Sequence, residues 1–195
     1  MSTFDLVVSR YAEDVGWLSL VPREYRVTLY DKGYGTNGIK LPNVGRESHT
    51  YIHHIVKNYD RLPDYTVFVQ GDPFHHVPSF LMILEQLLHT KPDWEAWGLE
   101  LECDRWGGPH QKEQLPCQEI YAEIVGKKLP EKLKFNCGAQ FCVSRRNIMR
   151  INRPTWERAL RLSERLQLLP WAIERLWPYL LDNRKKSLLC CLNLW

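Results

Sequence analysis

No two of the six cysteines, at positions 103, 117, 137, 142, 190 and 191, form a C-x-x-C pair. That argues against a zinc ribbon. No stretch reaches the ~18 apolar residues that a membrane span needs, so no transmembrane segment is expected. The opening MSTFDLVVSRYAEDV lacks a charged segment followed by an apolar run, and so does not read as a secretory leader. With neither feature, the thiols read as reduced and the protein as cytoplasmic. Internal repeats and low-complexity linkers are also missing. Net charge is small, +3 with a pI near 8.5. That balance does not argue for a nucleic-acid partner.

What is there fits a folded domain. A chain of 195 residues reads as one α/β domain, with a core over about 4–180 and a tail, DNRKKSLLCCLNLW, over 182–195. The length is enough to bury a core without covalent staples. Eight Trp and nine Tyr are many for this size and suit buried clusters, cleft walls or the stacking of sugar rings. The basic, apolar-ended tail reads either as a contact for a membrane or partner or as a packed terminus.

Periodicity places the elements. FDLVV, YRVTLYDKG, YTVFVQ, WEAWGLELEC and NCGAQFCVS read as five strands. SRYAEDVGWLSLV reads as a loop entering a helix. VGRESHTYIHHIVKNYDRL reads as a helix with Tyr51, Ile52, Ile55, Val56 and Tyr59 on one face. Further helices are expected at PSFLMILEQLLHT, CQEIYAEIVG (ended by Gly126), RRNIMRI, RPTWERALRLSERL and PWAIERLWPYLL. Strands alternating with helices predict a mainly parallel central sheet flanked by helices. Ligands of such sheets bind beyond the carboxyl ends of the strands.

Chargeable residues follow every predicted strand: Ser9, Arg10, Tyr11, Glu13 and Asp14; Asp31 and Lys32; Gln70, Asp72, His75 and His76; Asp104 and Arg105; Ser144 and Arg145. In NVGRESHTYIHHI, Asn43 is placed to cap the helix, with Arg46 and Glu47 in its first turn. That start suits a diphosphate, or it is an ordinary capped helix with a solvated Arg. His49 and His53 share a helical face, but the rest of a zinc-binding pattern is missing. VFVQGDPFHH ends an apolar strand in a sharp turn. Asp72 with His75 or His76 there could hold Mn²⁺ or Mg²⁺, or simply cap the next helix. Asp104, beside Trp106, reads as a base next to a stacking face or as plain loop. Glu174, between Trp171 and Trp177, reads as a base of raised pKa or as a structural partner of Arg175.

VVSRYAEDVGWL, YDKG, LPNVGRESHTYIHHIVKNYD, TVFVQGDPFHH, GAQFCVSRRNI and ERLW resemble, in this order over about residues 4–180, a family of short proteins catalogued as a domain of unknown function. More distantly, the order of strands, Asn-x-Gly-Arg helix start and terminal Glu-bearing helix resembles the glycosyltransferases of A-type (GT-A) fold. That second resemblance implies a Rossmann-like architecture, a nucleotide-sugar donor and a glycan or other hydroxyl acceptor. It implies a base-binding loop at Ser9, Arg10, Tyr11 and Glu13, with Asn43 and Arg46 near the phosphates. Asp31, Lys32, Glu47 and Gln70 join them as donor-binding candidates. Asp104 and Glu174 are the catalytic candidates. A divalent metal would sit on Asp72 and His76, although QGD stands where the family carries Asp-x-Asp. The alternatives are a non-catalytic carbohydrate- or nucleotide-binding module and a metal-dependent hydrolase built on Asp72 and the histidines.

Overall fold

The computed structural model describes residues 2–107 and 114–182. Strands β1 (Phe4–Arg10), β2 (Tyr25–Asp31), β3 (Ile39–Lys40) and β4 (Tyr65–Gln70) are joined by α1 (Arg46–Asn58) between β3 and β4. Next come α2 (Phe80–Thr90), β5 (Trp94–Trp97), β6 (Glu100–Asp104), α3 (Cys117–Val125), β7 (Lys132–Asn136) and β8 (Gln140–Ser144). Helices α4 (Arg145–Ile148), α5 (Arg153–Arg165) and α6 (Leu169–Leu181) complete the chain. The main sheet has six strands in the order β3-β2-β1-β4-β8-β5, and β6 and β7 form a separate hairpin sheet. Strands β1 to β4 pair in parallel, while β8 runs antiparallel to both its neighbours. The protein is therefore α/β with a mixed, mostly parallel sheet flanked by helices.

Side-chain alternation divides the core in two. Val7, Phe68, Phe141 and Val143 face a layer built by α1, α3, α5 and α6 with the β6–β7 hairpin. Leu6, Val8, Val67, Val69 and Cys142 face the other way, onto α2 and the rings of Trp17 and Phe74. The period of two along each strand explains why both layers stay apolar. On α1, Tyr51, Ile52 and Ile55 are fully buried, as their helical spacing predicts.

Several expected elements come out differently. WEAWGLELEC is two strands, not one. Gly98 adopts φ 98°, and a Cβ there would meet the Cys137 carbonyl at 2.4 Å, so the chain turns and β6 leaves the main sheet. The segment after β1 forms only a 3-10 turn, Gly16–Leu20. Asn43 does not cap α1. The N-cap is Gly45 at φ 60°, with no side-chain cap bond, and Arg46 follows at φ 47°. NCGAQFCVS is strand only from Gln140, with a turn before it that follows β7. Because β8 is antiparallel, Ser144 and Arg145 lie at the opposite end of the sheet from Arg10 and Gln70. Among the described residues no helix is long and apolar enough to cross a membrane. The tail beyond Asp182, with Cys190 and Cys191, lies outside the described residues; Cys103, Cys117, Cys137 and Cys142 are free thiols.

Candidate functional site

The carboxyl ends of β1, β2 and β4 open into a cleft of two adjoining compartments. The outer one, about 280 Å³, is lined by Ser9 and Arg10 at the end of β1, Tyr11 and Glu13 just after it, Lys32 after β2, Asn43 before α1, Arg46 and Glu47 at its start, and Gln70 at the end of β4. The inner one, about 210 Å³, shares Arg46, Glu47 and Gln70 and adds His76, Cys137, Gly138, Pro170, Trp171 and Glu174. Nine of the ten residues expected to contact a donor thus surround one space. Asp31, the tenth, is buried beside it, and its carboxylate accepts from Gly33 N at 2.8 Å and from Lys40 Nζ at 2.8 Å. Those bonds hold its pKa below the usual carboxylate range despite burial.

Glycines let the loops close in. A Cβ on Gly33 would lie 1.9 Å from the Tyr11 carbonyl oxygen, so the β1 and β2 loops touch backbone to backbone. Glu13 organises the first loop. Its Oε2 accepts from Tyr11 N at 2.6 Å and Ala12 N at 3.1 Å, while Arg10 Nε donates to the Glu13 carbonyl at 3.0 Å.

Lys32 is 7% exposed and donates from Nζ to the carbonyls of Val44 and, at 2.5 Å, Arg46. Burial lowers its pKa to about 8, with Glu47 partly offsetting the effect. An ammonium has three N–H groups, so one remains for the cleft. The Arg46 guanidinium lies 5.4 Å over the Trp171 ring, with Nε 3.6 Å from Glu47 Oε2. Burial raises the pKa of Glu47, and Glu174 raises it further. Glu174 Oε1 accepts from Gly138 N at 2.8 Å, and Oε2 lies 3.7 Å from Arg175 Nη1. Gln70 Nε2 donates to the Gly138 carbonyl at 3.0 Å, so both backbone polar groups of Gly138 are held from the cleft.

Two expected groupings do not assemble. Asp104 ends β6 in the small sheet, its Oδ1 accepts from Trp106 N at 2.8 Å, and it lines neither compartment. The break at Gly98 carries it away from the main sheet. His49 is buried with Nε2 3.9 Å from Glu164, and His54 hydrogen-bonds Tyr30 at 3.2 Å. His76 does line the inner compartment, but Asp72 is exposed and does not, its Oδ1 accepting from Phe74 N at 3.0 Å. Among the described residues no group of three or more His, Cys, Asp or Glu side chains is arranged to hold a metal ion. Asp72 and His76 therefore do not make a fitting site for a resident metal, and no step below runs through one. Gly138 and Cys137 were not expected at the site. Their signal was the Cys-Gly-Ala turn before β8, where a Cβ on Gly138 would meet the His76 ring at 2.6 Å.

Fold and cleft define an α/β protein with basic and acidic side chains gathered at the carboxyl edge of its sheet. The chain belongs to the family described as "Protein of unknown function (DUF3431)", which matches residues 6–191. Comparison with proteins of curated function and with solved structures found no match.

Proposed function

We propose that the protein is a glycosyltransferase of GT-A type that moves a sugar from a nucleotide-sugar donor to a hydroxyl acceptor. The observation that carries this reading is the outer compartment's position. It opens at the carboxyl ends of β1 and β4, where the strand order β3-β2-β1 reverses direction to continue through β4. Open α/β sheets bind nucleotides at such a reversal. Arg10, Lys32 and Arg46 supply positive charge for phosphate groups, and Arg46 offers two parallel donors. The first turn of α1, which has no side-chain cap, starts at the same place. Trp171 and the carboxylates of the inner compartment suit a sugar ring and its hydroxyls. The reaction is displacement at the anomeric carbon, with the cationic side chains stabilising the departing diphosphate.

The test is a thermal-shift screen against UDP, GDP, CDP and dTDP, each with and without Mn²⁺. A nucleotide at 100 times its dissociation constant adds about 2.7 kcal/mol, a shift of several degrees for this size. The manganese arm reports a cation that arrives with the nucleotide. If none of the four moves the melting temperature at millimolar concentration, the nucleotide reading is wrong.

A further inference from the structure

The two compartments meet at a wall, and one carboxylate stands in it. Glu47 lines both spaces, together with Arg46 and Gln70. Its side chain is only 10% exposed. Glu174, across the inner compartment, is committed elsewhere: Oε1 takes the Gly138 N–H at 2.8 Å and Oε2 faces Arg175 at 3.7 Å. Glu47 takes only its own backbone N–H and the looser approach of Arg46 Nε at 3.6 Å, beyond hydrogen-bond distance. On the same helix the Tyr51 hydroxyl is wholly buried and has no hydrogen-bond partner, and both Glu47 and Glu174 act on it electrostatically.

We propose that Glu47 is the catalytic base, and that the inner compartment is where the acceptor hydroxyl meets it. This rests on the transferase reading above. With the donor's diphosphate at Arg10 and Arg46, the anomeric carbon falls at the wall. The acceptor O–H gives its proton to a Glu47 carboxylate oxygen as the acceptor oxygen bonds to the anomeric carbon. The bond from that carbon to the phosphate oxygen breaks, and its electron pair leaves with the nucleoside diphosphate. Nothing is oxidised or reduced. Burial and the facing Glu174 make Glu47 more basic than a solvated glutamate, which suits a base working near neutrality. The charged and titratable groups around it are Arg46 beside it, Lys32 from the β2 loop, Glu174 from α6 and His76 across the inner compartment.

The experiment uses the full chain and two readouts. Melting shifts with UDP and GDP report nucleotide binding. Release of UDP from UDP-glucose and of GDP from GDP-mannose, with water as acceptor, reports turnover across pH 5 to 9. Glu47→Gln should keep the nucleotide-induced shift, lose roughly 100-fold or more in turnover, and lose the acidic limb of the pH profile. Glu174→Gln should lose less. Glu47→Asp keeps a buried carboxylate and should retain the acidic limb at reduced rate, which guards against a folding defect in the Gln variant. Turnover in Glu47→Gln within threefold of the parent, with the nucleotide shift intact, overturns the base assignment and leaves the transferase reading standing. Failure of every nucleotide to shift the parent protein removes the transferase reading and this proposal with it, and is seen before any variant is made.

Discussion

Lys32 Nζ donates to the carbonyl oxygen of Arg46 at 2.5 Å, and so ties the loop after β2 to the left-handed start of α1. One cation thereby holds the backbone that presents another. Lys32→Met removes the donor from two carbonyls and the charge from the outer compartment. Unpaired buried acceptors cost about 1–3 kcal/mol. The variant should melt several degrees lower and bind a nucleoside diphosphate at least tenfold more weakly by calorimetry.

Lys32 also sets a pH dependence. Burial brings its pKa down to about 8, so the free protein loses this charge as pH rises through that value. Affinity for the diphosphate should fall above pH 8. Because a bound anion favours the charged form, binding near pH 8.5 should take up a proton. Calorimetry in buffers of different ionisation enthalpy reads this directly. Identical heats in all buffers would mean that Lys32 does not face the ligand.

Arg46 is held at φ 47° with its guanidinium over Trp171. Arg46→Lys keeps the charge but loses the planar fork and the stacking. It should weaken nucleotide binding about tenfold at unchanged net charge, and abolish any change in tryptophan fluorescence that the nucleotide causes through Trp171. An equal affinity in the two proteins would show that charge alone matters there.

Much of this cleft was legible because β1 and β4 are short, mostly apolar runs that end in Arg10 and Gln70, and β2 runs straight into Lys32. In a parallel sheet those ends converge wherever the strands sit. The direction of β8 was not legible, since alternation along GAQFCVS is the same read either way. That is why Ser144 and Arg145 were expected on the wrong edge. The strand β7 did carry a signal, buried Leu133 and Phe135 alternating with exposed Lys132 and Lys134. Five residues with two lysines are too short and too polar to stand out against loop. Asn43 was misread because a glycine in a left-handed conformation, Gly45, starts α1 without a side-chain cap.

The glycines offer a test of how tightly the loops close. Gly33→Ala would place its methyl 1.9 Å from a backbone oxygen that has no rotamer to change. Its cost should reach the upper end of the roughly 1–3 kcal/mol typical of overpacking. Gly126→Ala meets open space, and its only burden is φ 73°, worth about 1–2 kcal/mol. Denaturant melts of the pair should therefore separate, with Gly33→Ala the less stable and the only one of the two to weaken nucleotide binding.

Acid should loosen the protein through two buried histidines. Burial lowers His49 to about 4, helped by Lys32 and His53, and His54 to about 3, helped by Arg26 and His53. One ring nitrogen of each, Nδ1 of His49 and Nε2 of His54, has no hydrogen-bond partner. The unfolded chain protonates these rings near 6.5 and the folded chain does not, so the unfolded state binds more protons between about 6.5 and 4. Stability is then full above pH 6.5 and declines as pH falls, by up to about 1.4 kcal/mol per pH unit for each ring. Glu47 works in the opposite sense. Its folded pKa is raised, so its contribution is present at low pH and is lost as pH rises through that pKa. Exchanging both histidines for glutamine removes the first effect and leaves the second. Denaturant midpoints measured at pH 4.5, 5.5 and 6.5 should rise steeply with pH in the parent protein. In the His49→Gln, His54→Gln double variant the rise should be clearly smaller, what remains coming from His53 and His76, which burial also lowers. An undiminished rise in the double variant would place the acid sensitivity in other groups.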